Sequence, residues 1–237
     1  MHRLGFSPDD TAGLLAAAEQ PCLAPTGLYT HFPAADTQKE ATRCALSRFL
    51  ACRRALLAKG VCLFAHAAAS AALLALPETV LDGVRPGISL YGVSPVATSL
   101  PLAPAMTLST SVVQVCRLPA GEPVGYGGTF VTPRDSQIGT IPLGYADGLD
   151  RRLSGFSAIW CGNGMRIPVP IVGRICMDQA MVDLTGLPAR AGDPIEIFRD
   201  PRAIAERLST IPYEVFTAIS PRVERVFQRK DKERGML

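Results

Sequence analysis

Aromatic residues make up only 6% of the 237 residues, and tryptophan occurs once. No basic stripe carries interleaved aromatics and the formal net charge is only +3, so a nucleic-acid-binding role is not expected. The seven cysteines, at 22, 44, 52, 62, 116, 161 and 176, are odd in number and contain no C-x-x-C. That pattern argues against a disulfide framework and against a zinc site, so no metal is expected. Reduced thiols point to a cytoplasmic protein. The longest apolar run, residues 67–77, is well short of the ~20 residues that span a bilayer. Residues 1–10 lack an apolar core and do not read as a signal peptide. Lysine is scarce, at positions 39, 59, 230 and 232 only.

What is present fits a folded globular chain: 48% of residues are hydrophobic and 19% charged. The length allows one large domain or two small ones. Ser7 as N-cap, Pro8 at the first helical position and Asp9 and Asp10 behind it predict a helix to about Gln20. A short strand is expected over 28–32. Thr37 and Glu40 form a capping-box pattern, opening a helix that should end at Lys59 with Gly60 as its stop. Strands over 61–65 and 88–91 bracket a short helix over 70–76. Alternation of strand and helix means parallel βα units. After about Pro104 the pattern becomes short strands at 112–116, 137–141, 158–161, 169–173 and 181–183, an antiparallel region, with short helices at 203–208 and 213–218. The Pro-rich stretch 94–104 divides the chain into expected domains 1–100 and 101–237. The mixed-charge run 229–234 reads as a solvated tail.

Three stretches resist a purely structural explanation. Gly173-Arg174-Ile175-Cys176-Met177-Asp178-Gln179 packs a cation, a thiol, a thioether, a carboxylate and an amide into seven residues. Neither a strand nor a helix period asks for that mixture. A plain alternative is a buried strand in which Arg174 and Asp178 pair. Gly125-Tyr126-Gly127-Gly128 sets a tyrosine among glycines, and Gly144-Tyr145-Ala146-Asp147-Gly148 follows. Glycines admit close backbone or ligand approach.

Taken in order, Arg85-Pro86-Gly87-Ile88-Ser89-Leu90-Tyr91-Gly92, Tyr126-Gly127-Gly128-Thr129-Phe130, Ile141-Pro142-Leu143-Gly144-Tyr145-Ala146-Asp147-Gly148 and Ile171 to Gln179 resemble the pyridoxal-phosphate alanine racemases, from residue 1 to about 227. The resemblance implies an α/β plus β chain: the C-terminal part of a (β/α)8 (TIM-type) barrel, then a mostly antiparallel β domain. Met1-His2-Arg3-Leu4-Gly5 matches a stretch from the middle of that barrel, so Met1 is expected to be an internal methionine of a longer sequence. About three βα units are too few for a barrel that needs roughly 250 residues.

Removing the α-proton of an amino acid needs an electron sink, which pyridoxal 5'-phosphate supplies. Inversion needs an acid–base group on each face. By resemblance, Ser70 and the amides of Gly87 and Ile88 hold the phosphate and Arg85 faces the pyridine nitrogen. His31 and His66 follow predicted strands and position Arg85. Tyr126 is the acid–base group on one face; phenols ordinarily titrate near ~10 and need a nearby cation to act at neutrality. The Met177 amide and Arg3 bind the substrate carboxylate, Arg174 and Asp178 orient the site, and Tyr145 narrows its entrance. Ala69 replaces a family asparagine, and Pro221 stands where some relatives have a phosphate-binding tyrosine. The family's cofactor-bearing lysine, which also serves the second face, lies before residue 1, and none of the four lysines takes its place.

The resemblance therefore implies an alanine racemase interconverting L-alanine and D-alanine for peptidoglycan, working as a homodimer with each site built from two chains. The chain alone is expected to be inactive. A non-catalytic remnant or complementing fragment that dimerises through its β domain is the alternative. A related barrel decarboxylase fits the 126–127 and 176–179 motifs poorly.

Overall fold

A computed structural model describes residues 1–228. The charged run from Arg229, with Lys230 and Lys232, lies outside the described residues. The chain divides into two compact units, the first Met1–Ala105 and the second starting at Met106.

In the first unit, helix α1 spans Thr11–Ala18. Its N-cap is Asp10, not Ser7: the Asp10 carboxylate accepts from the Gly13 N–H at 2.8 Å. Ser7 instead closes a turn, its carbonyl accepting from the Asp10 N–H. An anionic acceptor at Asp10 outcompetes the neutral hydroxyl three residues earlier.

Helix α2 spans Lys39–Leu57 and buries Leu46, Phe49, Cys52 and Leu56, spaced by three and four along one face. The expected capping box does not form. Gln38 is the N-cap and makes no side-chain cap. Glu40 is taken by Arg43, which also donates to Glu78 at 2.8 Å. The predicted stop holds. Gly60 adopts φ +79, the Gly60 N–H reaches Leu57 O and the Val61 N–H reaches Leu56 O, a closure that asks for glycine in the left-handed region.

Strands β1 (Gly27–Tyr29), β2 (Phe64–Ala69) and β3 (Gly83–Arg85) form a parallel sheet in that order. The strand expected at 61–65 is displaced to 64–69 because Val61 is used in closing α2. His66 therefore lies inside β2 rather than after it. Residues 88–91, expected as a strand, form a 3-10 helix; Pro86-Gly87 ends the pairing and Gly92, at φ +85, closes the turn. Helix α3, Ser70–Ala75, starts directly from β2. Ala67, Ala68 and Ala72 pack with Phe32 and Leu46 in the core beneath α2.

The second unit is a seven-stranded sheet, β4 (Leu108–Ser111), β12 (Pro194–Phe198), β9 (Ser157–Gly162), β10 (Met165–Val172), β11 (Ala180–Asp183), β8 (Ser136–Ile141) and β5 (Gln114–Leu118) in that order. Every pairing is antiparallel. A ribbon of β6 (Pro123–Val124) and β7 (Phe130–Val131) stands apart from it. The core gathers Trp160, Ile141, Ile171, Val182 and Ile195 under helices α4 (Arg202–Leu208) and α5 (Pro212–Thr217). Of the strand expected at 112–116 only 114–116 is strand, the start of β5; 112–113 link it to β4, which was not foreseen. Strand β12 was not foreseen: Glu196 interrupts its apolar residues, yet it is buried, with Arg166 and Arg199 on its carboxylate. Among the described residues no helix is long and apolar enough to cross a membrane.

Candidate functional site

In the first unit the parallel register places Tyr29 beside His66 and Ala69 beside Arg85. The Arg85 guanidinium donates to the carbonyls of Thr30 (2.9 Å), His66 (3.2 Å) and Ala67 (3.3 Å). It also donates to Nδ1 of His66 and, at 3.5 Å, Nδ1 of His31. Arginine has no acceptor, so both imidazoles accept and carry their proton on Nε2. Burial first, then the charge of Arg85, holds His66 below the usual imidazole range. Burial, Arg85 and Arg3 do the same for His31. Tyr29 stacks on His66 with centroids 5.4 Å apart and lies under the Arg85 guanidinium at 5.3 Å. The terminal nitrogens of Arg85 are thus fully engaged, while its Nε–H has no partner among the described residues. Arg3 is exposed and touches this cluster only through its charge on His31.

Ser70 sits at the β2–α3 junction, and its Oγ accepts from the N–H of Gly87 (2.9 Å) and of Ser89 (3.3 Å). Its hydroxyl is also 3.0 Å from that of Ser89. The Gly87 amide is therefore aimed at Ser70, the residue it was expected to share a phosphate with. The Ile88 N–H has no partner among the described residues. A Cβ on Gly87 would meet nothing closer than Ser70 Oγ at 4.0 Å, so the space over the turn is clear. Two hydroxyls and a free amide around clear space suit an anion.

In the second unit Tyr126 is 70% exposed on a turn where Gly125, Gly127 and Gly128 all have positive φ. A Cβ on Gly127 would sit 3.5 Å from the Arg174 guanidinium, and one on Gly125 would sit 3.4 Å from the Arg174 N. The glycines let the tyrosine-bearing turn lie against Arg174, which brings a cation to it. The Tyr126 hydroxyl has no partner among the described residues.

Tyr145 opens a second 3-10 turn, Tyr145–Asp147. The Tyr145 N–H donates to Cys176 O and the Ala146 N–H to Met177 O, each at 3.0 Å. A Cβ on Gly144 would lie 2.3 Å from Met177 O, so only glycine permits this approach. The Met177 N–H is unpaired among the described residues. Asp178 does not pair with Arg174; it accepts from Arg222 at 2.7 Å. Arg222 was not among the expected site residues. Of the lysines described, Lys39 is exposed at the start of α2, where its charge acts on Glu78, and Lys59 is exposed beyond its end. Neither bonds to Arg85 or Ser70. Among the described residues no group of three metal-ligating side chains is placed to hold an ion.

Residues 1–95 match the family model of the alanine racemase N-terminal domain and residues 105–227 that of the alanine racemase C-terminal domain. An alanine racemase of Desulfosudis oleivorans is 43% identical over 90% of this chain and 57% of its own length. One of Clostridium novyi is 38% identical over 96% of this chain and 62% of its own length. The solved alanine racemase of Bacillus anthracis superposes with a TM-score of 0.86 at 34% identity, over 97% of this chain and 62% of that one. That of E. faecalis gives 0.84 at 33%, over 94% and 62%. The chain thus spans less than two thirds of the length of these relatives. Its parallel unit is part of a (β/α)8 barrel and its antiparallel unit is the β domain that follows. The chain belongs to the alanine racemase family.

Proposed function

We propose that these residues serve the pyridoxal-phosphate-dependent interconversion of L-alanine and D-alanine, supplying D-alanine for the cell wall. The observation that carries this reading is Tyr126, exposed on a glycine turn that rests on the Arg174 guanidinium. A phenol presented to solvent, on a turn that a guanidinium packs against, is placed to take and return a proton. The relatives' shared name supports this reading over a non-catalytic remnant. The seven free thiols suit a reducing, cytoplasmic setting.

When bound, pyridoxal phosphate supplies the electron sink that acidifies the α-proton. Ser70, Ser89 and the Ile88 amide fit its phosphate. The free Nε–H of Arg85 fits its pyridine nitrogen, and a fixed cation there disfavours a proton on that nitrogen. His31 and His66, both neutral, hold the guanidinium in place without adding charge. The unpaired Met177 N–H fits a substrate carboxylate, with Arg3 as its cation, and Tyr145 bounds the entrance. Asp178 and Arg174 hold the surrounding loops. The residues do not fit the aldehyde end: no described lysine reaches the cradle. Among the described residues, only one face is therefore offered a base. The assembly is read as a homodimer.

Joining a relative's barrel segment, with its lysine, ahead of residue 1 tests the assignment. The chimera should bind pyridoxal phosphate and convert L-alanine to D-alanine. A folded, cofactor-bound chimera without turnover would remove the assignment.

A further inference from the structure

We propose that Arg222 is a positioning residue that closes the Tyr145 turn onto the Met177 loop and so sets the size of amino acid admitted; this rests on the alanine reading above. Its Nη2 donates to Asp178 at 2.7 Å and its Nε lies 3.4 Å from Asp147 Oδ1. The two carboxylates come from different segments. Asp147 belongs to the Tyr145 turn and is nine-tenths buried; Asp178 follows Met177 and is half exposed.

Arg222 is itself held in place. The Ser220 N–H donates to Asp147 O at 3.0 Å, and the Arg222 N–H donates to Ser220 Oγ at 3.2 Å. Gly148, at φ +107, lets the 218–219 backbone close on the turn, since a Cβ there would sit 2.4 Å from Ala218 O. The segment bearing Arg222 is therefore docked on the Tyr145 turn, and the guanidinium reaches from it to the Met177 loop.

Asp147 has a second duty, its Oδ2 accepting from the Gly144 N–H at 2.9 Å. That bond holds the turn whose next two amides reach Cys176 O and Met177 O. An exposed ion pair contributes little alone. Here one cation bridges two carboxylates, one of them buried. Removing it leaves two like charges facing each other across the seam, each without the counter-ion that Arg222 supplied, Asp147 in a buried place. The seam then opens, carrying Tyr145 away from the Met177 N–H.

The test uses the full chain with Arg222→Gln and Arg222→Lys. Hydrogen exchange reads the seam at the Tyr145 and Ala146 amides. Binding reads selectivity, with phosphopyridoxyl-L-alanine and phosphopyridoxyl-L-leucine as probes, secondary amines that need no lysine. In Arg222→Gln the two amides should exchange at least tenfold faster, and the preference for the alanyl probe should fall at least fivefold. Pyridoxamine phosphate binding should stay as in the parent, and Arg222→Lys should restore part of both effects. Unchanged amide exchange, or unchanged preference in Arg222→Gln, overturns the proposal. A parent chain with no preference for the alanyl probe overturns the alanine reading instead, and the selectivity role with it.

Discussion

The Arg174 guanidinium lies 3.5 Å from the point a Cβ on Gly127 would occupy. Gly127 sits at φ +72, so alanine there meets backbone strain while its Cβ would only touch the arginine at ordinary contact distance. Left-handed backbone costs an L-residue about 1–2 kcal/mol. Gly127→Ala should lower the stability of the second unit by about that amount, read from urea unfolding. No loss would show that the turn can rearrange away from Arg174.

Tyr126→Phe, made in the lysine-bearing chimera, should leave cofactor absorbance intact and lower turnover by roughly 10²–10⁴-fold. Abstraction from one enantiomer should suffer more than from the other, because only one face loses its base. Equal rates from both enantiomers, unchanged from the parent, would remove Tyr126 from the chemistry.

The histidines beside Arg85 give the first unit a pH dependence of defined sign. His31 and His66 are both held below the usual imidazole value in the folded chain. Above ~6.5 they are neutral folded or unfolded and contribute nothing to the balance. Below that, the unfolded chain takes up protons that the folded chain resists, so stability falls as pH drops from 7 toward 5. Hydrogen exchange across β1–β3, corrected for intrinsic rates, should show this loss, and His66→Gln should reduce it. A first unit equally protected at both pH values would contradict neutral histidines around Arg85.

The first unit has a further liability. Both β1 and β3 are edges of a three-stranded sheet, and Tyr29 and Phe64 are each 53% exposed. Unpaired edges and bare apolar faces invite association. The chain should self-associate through this unit, and its amides should exchange faster than those of the seven-stranded sheet. Equal protection in both units would count against this.

Legibility in the sequence followed the range of the interaction. The stop of α2 at Gly60 could be read because its bonds span only a few residues. Strands β8 to β11 showed themselves by apolar runs between glycines and prolines. The capping box failed because Arg43 reaches Glu40 and Glu78 together, a competition that local spacing does not reveal. The 3-10 turn after Arg85 looked like a strand because its side chains are apolar while its glycines set the backbone. Arg222 was illegible as a partner of Asp178, since 44 residues separate them and no local pattern links them. The glycine–tyrosine turns were conspicuous, but their cause, the close approach of Gly144 to Met177 O, appears only in three dimensions.

Treating the chain with pyridoxal phosphate and borohydride tests whether any of its lysines serves the cofactor. Scattered, substoichiometric lysine labelling without D-alanine formation is expected. A single stoichiometric label accompanied by turnover would mean that one of the four lysines has been recruited.

The most direct test of an alanine-specific cofactor site is calorimetric titration of the full chain with phosphopyridoxyl-L-alanine and phosphopyridoxyl-D-alanine. A racemase site must accept both hands. Both probes should saturate one site per chain with similar affinity, each at least tenfold tighter than pyridoxamine phosphate. Ser70→Ala and Arg85→Gln should weaken all three. Probes that bind no more tightly than pyridoxamine phosphate, or only one hand binding, would contradict the account.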